Sequence, residues 1–390
     1  MRALIIGAGI GGLSAALCLR ARGWDVEVRE ASPELGEVGA GLQIPPNAMR
    51  VWRALGLDSD LQGVSVRADA LEAVRVDGSE LFRVALEGEP WGAPYLHIHR
   101  ADYIDVLGRA LRQSSPDALK LGCPVDPADI ADMEADIIVA ADGIRSPFRT
   151  TLFDPAPHRW TGNVAWRAVV PTSELPNPPP PTARVWMGSG RHAVTYRLRD
   201  GDLVNFVGVV EQDGWREEGW NTPGEREEAQ AAFAAFAPMV RDILEDAPHL
   251  HKWALFDRAP FETWVGGRVA LLGDAAHPML PFMAQGAAMA VEDAWVLADA
   301  LDGAGGVEAG LRDYVRRRQP RAARVQAVSR RNAKLFHLGG AEAAVAHTAL
   351  RLGHRLAPAL LRRRFDWLYG YDPTEGKSVV PPERLELPTP

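Results

Sequence analysis

Apolar residues along this chain recur with two different periods, and the alternation between them sets the expected architecture. Near the N-terminus Ala3–Ile6 is a short, continuous apolar run that stops at a glycine, as a buried strand does. Leu13–Arg22 then carries helical spacing, and Asp25–Arg29 alternates as a second strand ending at Glu30. Two further apolar runs, Asp136–Ala140 and Val269–Leu272, again end at a glycine-containing turn. Between Gly162 and Val210 the period shortens to two over NVAWRAVV, ARVWMG, HAVTYRLR and LVNFVGVV, with Asp200-Gly201 as a hairpin turn. Ala73–Leu86 reads as another hairpin, around Asp77-Gly78.

These periods predict an α/β protein: a Rossmann-like dinucleotide-binding domain, an inserted antiparallel β-sheet substrate domain and C-terminal helices. The expected boundaries are 1–72, 94–155 and 266–300 for the first, 73–93 and 156–265 for the second, and 301–390 for the last. Glycines at 36, 39 and 41 mark a loop, after which Pro45-Pro46-Asn47 lead into a helix. His97–Asp102 is expected to start a helix, and Thr222-Pro223-Gly224-Glu225 to cap another that runs to Pro238. Asn177–Pro181 is a stiff connector. The arginine-rich stretch from Leu311 is read as solvated helix faces with local ion pairs, and Tyr371–Pro390 as a surface tail.

Chemistry enters at three strand ends. Gly7, Gly9 and Gly12 form G-x-G-x-x-G between a strand and a helix, with Glu30 at the end of the next strand. The glycines let a pyrophosphate approach the helix N-terminus, and the acid suits a ribose hydroxyl. Asp142 falls just past the Asp136–Ala140 strand, where open α/β sheets bind ligands. Arg268–Ala294 joins a strand to a Pro-stiffened loop and an Ala-rich helix whose unpaired N–H groups face back toward that loop. Asp274 stands at the head of the loop as an acceptor for sugar-type hydroxyls. On Arg191–Arg197, His192, Val194 and Tyr196 share one face, which fits an apolar cavity with few polar groups or, equally, a covered sheet face.

Composition narrows the class. The chain has 390 residues, 47% hydrophobic and 24% charged, enough for two domains. A net charge of -8 offers no global attraction for nucleic acid. Cys18 and Cys123 give neither a disulfide framework nor a metal cluster, and both are expected as reduced, buried thiols. No apolar run approaches a membrane span, and MRALIIGAGIGG is already strand and turn, so a cytoplasmic protein without a signal peptide is expected.

Taken together, GAGIGG with Glu30, GAGLQIPPN, HRADY, ADGIRS, VAWRAVVP, RHAVTYRLRDGDLVNFVGVVE and GDAAHPMLPFMAQGAAMAVEDA resemble one family. The chain is similar to the single-component (class A) FAD-dependent aromatic hydroxylases, especially the salicylate and 3-hydroxybenzoate hydroxylase branch. The likeness runs from Met1 to about His337. One stretch departs from it: LKLGCPVDPADIADME replaces the usual β-hairpin between Leu119 and Ala135.

The resemblance implies that Gly7, Gly9, Gly12, Glu30 and Ala31 hold the ADP half of FAD. Gln43 and Arg100 then lie along its ribityl and pyrophosphate portion, and Asp142 serves both FAD and the transient pyridine nucleotide. Gly273 and Asp274 reach the ribityl chain, while Pro281, Gly286, Ala287 and Ala288 flank the flavin ring. A partly buried helix terminus stabilises an anion by up to ~2 kcal/mol. That lowers the flavin N1 pKa by about one unit. The implied activity is hydroxylation of a phenolic acid with NAD(P)H, more readily NADH, and O2, by way of a flavin C4a-hydroperoxide. His192 would take the phenol proton, with Tyr196 and Gln285 orienting the ring. The competing readings are an oxygenase of N-heteroaromatic, quinone or polycyclic compounds, and a flavin oxidase or reductase without oxygen transfer. The expected partners are the aromatic substrate and O2, for a monomer or homodimer with no metal.

Overall fold

The computed structural model describes residues 1–36, 41–214 and 222–376. Gly39 of the glycine-rich stretch and most of the C-terminal tail therefore lie outside the described residues. The strands, in chain order, are β1 Arg2–Ile6, β2 Asp25–Arg29, β3 Gly41–Ile44, β4 Ser65–Arg67, β5 Ala70–Arg75, β6 Glu80–Ala85, β7 Leu96–His99 and β8 Leu119–Lys120. They continue as β9 Ile137–Ala140, β10 Arg159–Pro171, β11 Ala183–Gly188, β12 Arg191–Leu198, β13 Leu203–Glu211, β14 His251–Asp257, β15 Val265–Gly266 and β16 Val269–Leu271.

One sheet runs β15-β16-β9-β1-β2-β8 and is parallel from β16 to β8. Its central strands β1, from Ala3 on, and β9 are apolar and buried, as strands covered on both faces must be. Ile6 pairs with Ala140, and Ala140 with Leu271. The three glycine- and aspartate-bearing turns after these strands therefore lie side by side at one edge. The helices Ile10–Arg20 and Gly286–Asp302 pack together on this sheet. Gly11 leaves no room between them: a Cβ there would sit 3.0 Å from Leu272 and 3.3 Å from Ala290.

A second, seven-stranded sheet runs β14-β10-β13-β12-β11-β5-β6. Its pairs are antiparallel except β5 with β11, which is parallel because the chain leaves for the first sheet between them. One face carries Trp166, Trp186 and Phe206 under the helices Arg226–Ala232 and Pro238–Asp246, with Phe233 from the end of the first helix packed against Phe206. The opposite face carries Ala165, Met187, Val209 and Trp253 against Leu280, Phe282 and Phe336.

Several local expectations need correction. Gly41–Ile44 is a strand, because it pairs with β7 in a three-stranded sheet β3-β7-β4. That sheet also claims His97–His99, so the helix starts only at Arg100. Thr222 is not the N-cap of the helix that follows; Glu225 is. Pro223 bridges His251, and Gly224 lies so close to Trp166 that a Cβ would meet its ring at 2.4 Å, so the chain stays extended until Arg226. The helix beginning there ends at Ala232, and Pro238 opens the next one. Cys18 is buried, whereas Cys123 is only half-buried. No helix among the described residues is long and apolar enough to cross a membrane.

The arginine-rich Val307–Phe336 helix departs most from the sequence reading, because part of its charge points inward. Arg318 is fully buried and binds Glu292 at 2.5 Å and Asp293 at 2.6 Å, both on the Gly286–Asp302 helix. Arg321 adds a second cation on Glu292 at 2.7 Å. Burial alone would raise the Asp293 carboxyl, but His277 and Arg318 bring it down to about 2. Removing one partner of such a buried pair leaves the other uncompensated, at a cost of about 3–5 kcal/mol. Arg318→Ala should lower unfolding stability by about that amount in urea denaturation. The Asp293 contribution should be full above the ordinary aspartate range, near pH ~4, and fade as pH falls toward 2. An Asp293→Asn variant should accordingly show a flatter stability profile across that interval.

Candidate functional site

The edge shared by β1, β9 and β16 is shaped first by backbone crowding. Gly7 has φ 97°, and a Cβ there would meet the Ala141 carbonyl oxygen at 2.6 Å. A Cβ on Gly12 would lie 1.8 Å from the Gly7 oxygen, so only glycine lets the helix begin against the turn. Gly9 faces open space, with no heavy atom of the other described residues beyond its chain neighbours within 4 Å of its would-be Cβ. It is the N-cap of the Ile10–Arg20 helix, yet no side chain caps that end and no acid occupies the first turn. The N–H groups there are left for an external anion.

Glu30 closes the turn from the side. Its carboxylate accepts Ala8 N–H at 2.7 Å and Ser32 N–H at 2.8 Å, and Ala31 lies between these anchors. A carboxylate has about four acceptor positions, so two backbone contacts hold it in place without exhausting it. Across the edge, Asp142 Oδ2 accepts Phe148 N–H at 3.3 Å while buried Oδ1 has no partner among the described residues. Desolvation pushes the Asp142 carboxyl up, partly offset by the Ser146 hydroxyl.

The third turn, Gly273–Ala275, is fixed by Gly273 N–H donating to Asp293 Oδ2 at 3.1 Å. Asp274 opens into the cleft although protein surrounds it, and burial raises its carboxyl against the pull of His277 and Arg100. Arg100, from a different helix, is thus within electrostatic reach of the same cleft. Gly286 lies beside Asp274, its would-be Cβ 3.8 Å from Oδ1. The chain between them turns at Pro281–Met283, passes Ala284 at φ 50°, and enters the Gly286–Asp302 helix, where Ala287 is half-buried and Ala288 buried. That helix has no side-chain cap and no acid in its first turn.

Polar side chains converge from both sheets. Gly41 N–H donates to Asn205 Oδ1 at 2.8 Å, and a Cβ on Gly41 would strike the Tyr196 ring at 2.6 Å. Gln43, two residues along β3, accepts from the Tyr95 hydroxyl at 2.6 Å. At the other end of the shared face His192 meets Phe282 and Phe336, with ring centroids 5.1 and 5.3 Å away. Half-buried Val194 lies between His192 and Tyr196. Gln285 Oε1 accepts from Asn47 Nδ2 at 3.1 Å, and that same amide donates to Glu292 Oε1 at 2.6 Å. Since Glu292 is paired to two arginines and only accepts, Asn47 must present its NH2 group, and this fixes the Gln285 amide in turn. Gln285 Nε2 is then a buried donor with no partner among the described residues.

Sequence reasoning missed several of these groups. His97 is fully buried, neither ring nitrogen has a partner among the described residues, and its ring lies 4.8 Å from Tyr196. Desolvation drives its pKa to about 3, so it is neutral. The only trace in the sequence was the alternation of LHIH, absorbed there into a helix. Asn47, Asn205 and His337 gave no signal at all, because their partners are 238, 164 and 145 residues away.

Glycine-lined backbone, an uncapped helix end, an anchored acid and an open aspartate along one edge fit an extended dinucleotide. A sequence-family model for an FAD binding domain matches residues 126–329, and one for an NAD(P)-binding Rossmann-like domain matches residues 5–44. A 3-amino-4-hydroxybenzoate 2-monooxygenase of Streptomyces platensis is 37% identical, covering 95% of this chain and 96% of that protein. A 3-hydroxybenzoate 6-hydroxylase of Polaromonas naphthalenivorans is 35% identical over the same shares. Among solved structures, a salicylate hydroxylase substrate complex superposes with TM-score 0.77 at 27% identity, covering 96% of both chains. The cofactor is FAD. Replacing Asp274 by Ala removes an acceptor whose hydrogen bonds are each worth about 1.5–3 kcal/mol. FAD affinity measured by flavin-fluorescence titration should fall by about 10- to 100-fold, with the far-ultraviolet circular dichroism spectrum unchanged.

Proposed function

This chain belongs to the class A FAD-dependent aromatic hydroxylases, and we propose that its substrate is a hydroxybenzoate bound between the β12 face and the Pro281–Gln285 turn. The observation carrying this reading is the composition of those walls. His192, Val194 and Tyr196 stand on one and the unspent Gln285 amide on the other, with Phe282 packed on His192 and closing that end. FAD, when bound, supplies the redox chemistry, passing electrons from NAD(P)H to dioxygen, one atom of which enters the ring.

The side chains have distinct tasks. Burial, and then the neighbouring His337, holds His192 well below the usual histidine range, so it is neutral and able to accept a phenol proton. Loss of that proton enriches the ring for oxygen attack. Burial raises the Tyr196 hydroxyl, which stays protonated and acts as a donor to substrate oxygen. Gln285 Nε2 orients the ring through its free N–H group, and neutral His97 extends the polar end beyond Tyr196. Apolar Phe282, Phe336 and Leu280 exclude water from the reaction space. Gly7, Gly9, Gly12, Glu30, Ala31, Gln43, Arg100, Asp142, Gly273, Asp274, Pro281, Gly286, Ala287 and Ala288 hold the cofactor in this reading. The enzyme works on free small molecules as a monomer or homodimer, in a cytoplasm that keeps its two free thiols reduced.

The test is NADH or NADPH oxidation stimulated by 3-hydroxybenzoate, salicylate, 3-amino-4-hydroxybenzoate and 6-hydroxynicotinate, with product identification. A hydroxybenzoate should give one hydroxylated product per reduced nucleotide consumed. Peroxide in place of product throughout would instead indicate an oxidase. His192→Ala should reduce product formation by about 100-fold or more, in line with loss of general-base catalysis, while bound FAD stays stoichiometric.

A further inference from the structure

His192 does not end its hydrogen bonding inside the pocket. Its Nδ1 lies 2.8 Å from Nε2 of His337, and His337 Nδ1 lies 2.9 Å from Glu211 Oε1. The first two rings are buried, whereas the Glu211 side chain is 59% exposed. Glu211 and His337 both line a surface cavity of about 980 Å³, together with Asp213, Arg330 and Lys334. Three side chains from β12, the end of the Val307–Phe336 helix and the end of β13 thus connect the pocket wall to water.

The backbone holds this chain of groups in register. Gly190, in the turn between β11 and β12, donates its N–H to the His337 carbonyl at 3.0 Å. Its own carbonyl accepts Glu211 N–H at 2.9 Å. Gly339 passes so near Ser189 that a Cβ would lie 2.3 Å from its hydroxyl, which keeps the end of the helix against the turn. The aromatic rings of Phe282 and Phe336 pack on His192 without offering it a competing hydrogen bond.

Glu211 also sets the direction of the chain. Ionised, it can only accept, so the His337 proton sits on Nδ1 and Nε2 is left as an acceptor. His192 must then donate from Nδ1, which leaves the lone pair on its Nε2, the nitrogen pointing away from His337. We propose that His337 and Glu211 form a proton relay that presents His192 as a base toward the substrate and carries the phenol proton to solvent. This rests on the assignment of His192 made above. His337 and Glu211 act through His192 and are positioning residues.

The step balances without any further reactant. The phenol O–H bond breaks and an N–H bond forms at His192 Nε2. The Nδ1–H of His192 passes to His337 Nε2, the Nδ1–H of His337 passes to Glu211, and Glu211 releases a proton to water. After the oxygen has entered the ring, return of a proton along the same path restores both tautomers. Among the described residues, the charged groups facing the relay are Glu211 and Arg191 at His337, with Arg159, Asp213, Lys334 and the Arg330–Asp257 pair around the cavity. Among the described residues, His337 is the ionisable group that faces His192.

The test uses holoenzyme with 3-hydroxybenzoate bound, followed after a pH jump by the absorbance change of phenolate formation. His337→Gln and Glu211→Gln should each slow this ionisation by at least tenfold, with FAD content and ligand Kd within twofold of wild type. Added imidazole should restore the rate in a His337→Gly variant, which a purely structural role for His337 would not allow. Unchanged ionisation rates in both Gln variants would overturn the relay while leaving His192 as the base if His192→Ala alone is slow. If His192→Ala ionises the ligand at the wild-type rate, or if no phenolate forms on wild-type enzyme, the earlier assignment fails and the relay with it.

Discussion

Two adjacent carboxylates, Glu292 and Asp293, sit fully buried on the Gly286–Asp302 helix, and the cleft depends on how their charge is compensated. Glu292 is held by Arg318, Arg321 and the Asn47 amide, and Asp293 by Arg318, His277 and the Gly273 N–H. An uncompensated pair of such charges would make the fold untenable, so each partner is placed within narrow limits. The partners belong to three separate segments: the helix after β3, the turn after β16 and the long C-terminal helix. Neutralising the pair therefore also fixes the walls of the cofactor cleft.

The consequences reach the chemistry directly. Glu292 determines which end of Asn47 is a donor, Asn47 determines the orientation of the Gln285 amide, and the free Gln285 N–H group follows from both. The turn carrying Asp274 is tied to Asp293 in the same way. A buried charge cluster is a weak source of net stability, but it specifies geometry because each member has few ways to be satisfied. This accounts for an arginine-rich helix in an acidic protein: part of its charge serves the interior.

In the reading proposed here, the reaction space lies between opposing surfaces of different kinds. The parallel sheet contributes strand ends, glycine turns and helix termini, which suit a long phosphate-bearing cofactor. The larger sheet contributes one side-chain face, where His192 and Tyr196 stand apart with Val194 between them. Strand β3 meets the larger sheet through Gly41 to Asn205, and the segment leading into β7 through Gln43 to Tyr95. Few polar groups face this region, and His192 and Gln285 are each held by a second residue, His337 and Asn47.

What the amino-acid order determined by itself was local: the glycines at 7 and 12, the strand before them, the acid at 30, the alternation that puts His192 and Tyr196 on one face. Each of these follows from backbone sterics or side-chain period within a few residues. The tertiary structure decided what depends on distant partners. Gly41–Ile44 and Leu96–His99 are strands because each supplies the other's hydrogen bonds, and neither run alone is long enough to announce it. Thr222 fails as a cap because Trp166 and His251 hold the following residues extended. Arg318 is interior because two acids 25 and 26 residues earlier lie opposite it, and nothing in its own neighbourhood distinguishes it from the solvated arginines beside it. His337 joins His192 across 145 residues of chain. Short-range period fixes which way a side chain points, and only packing fixes what it meets.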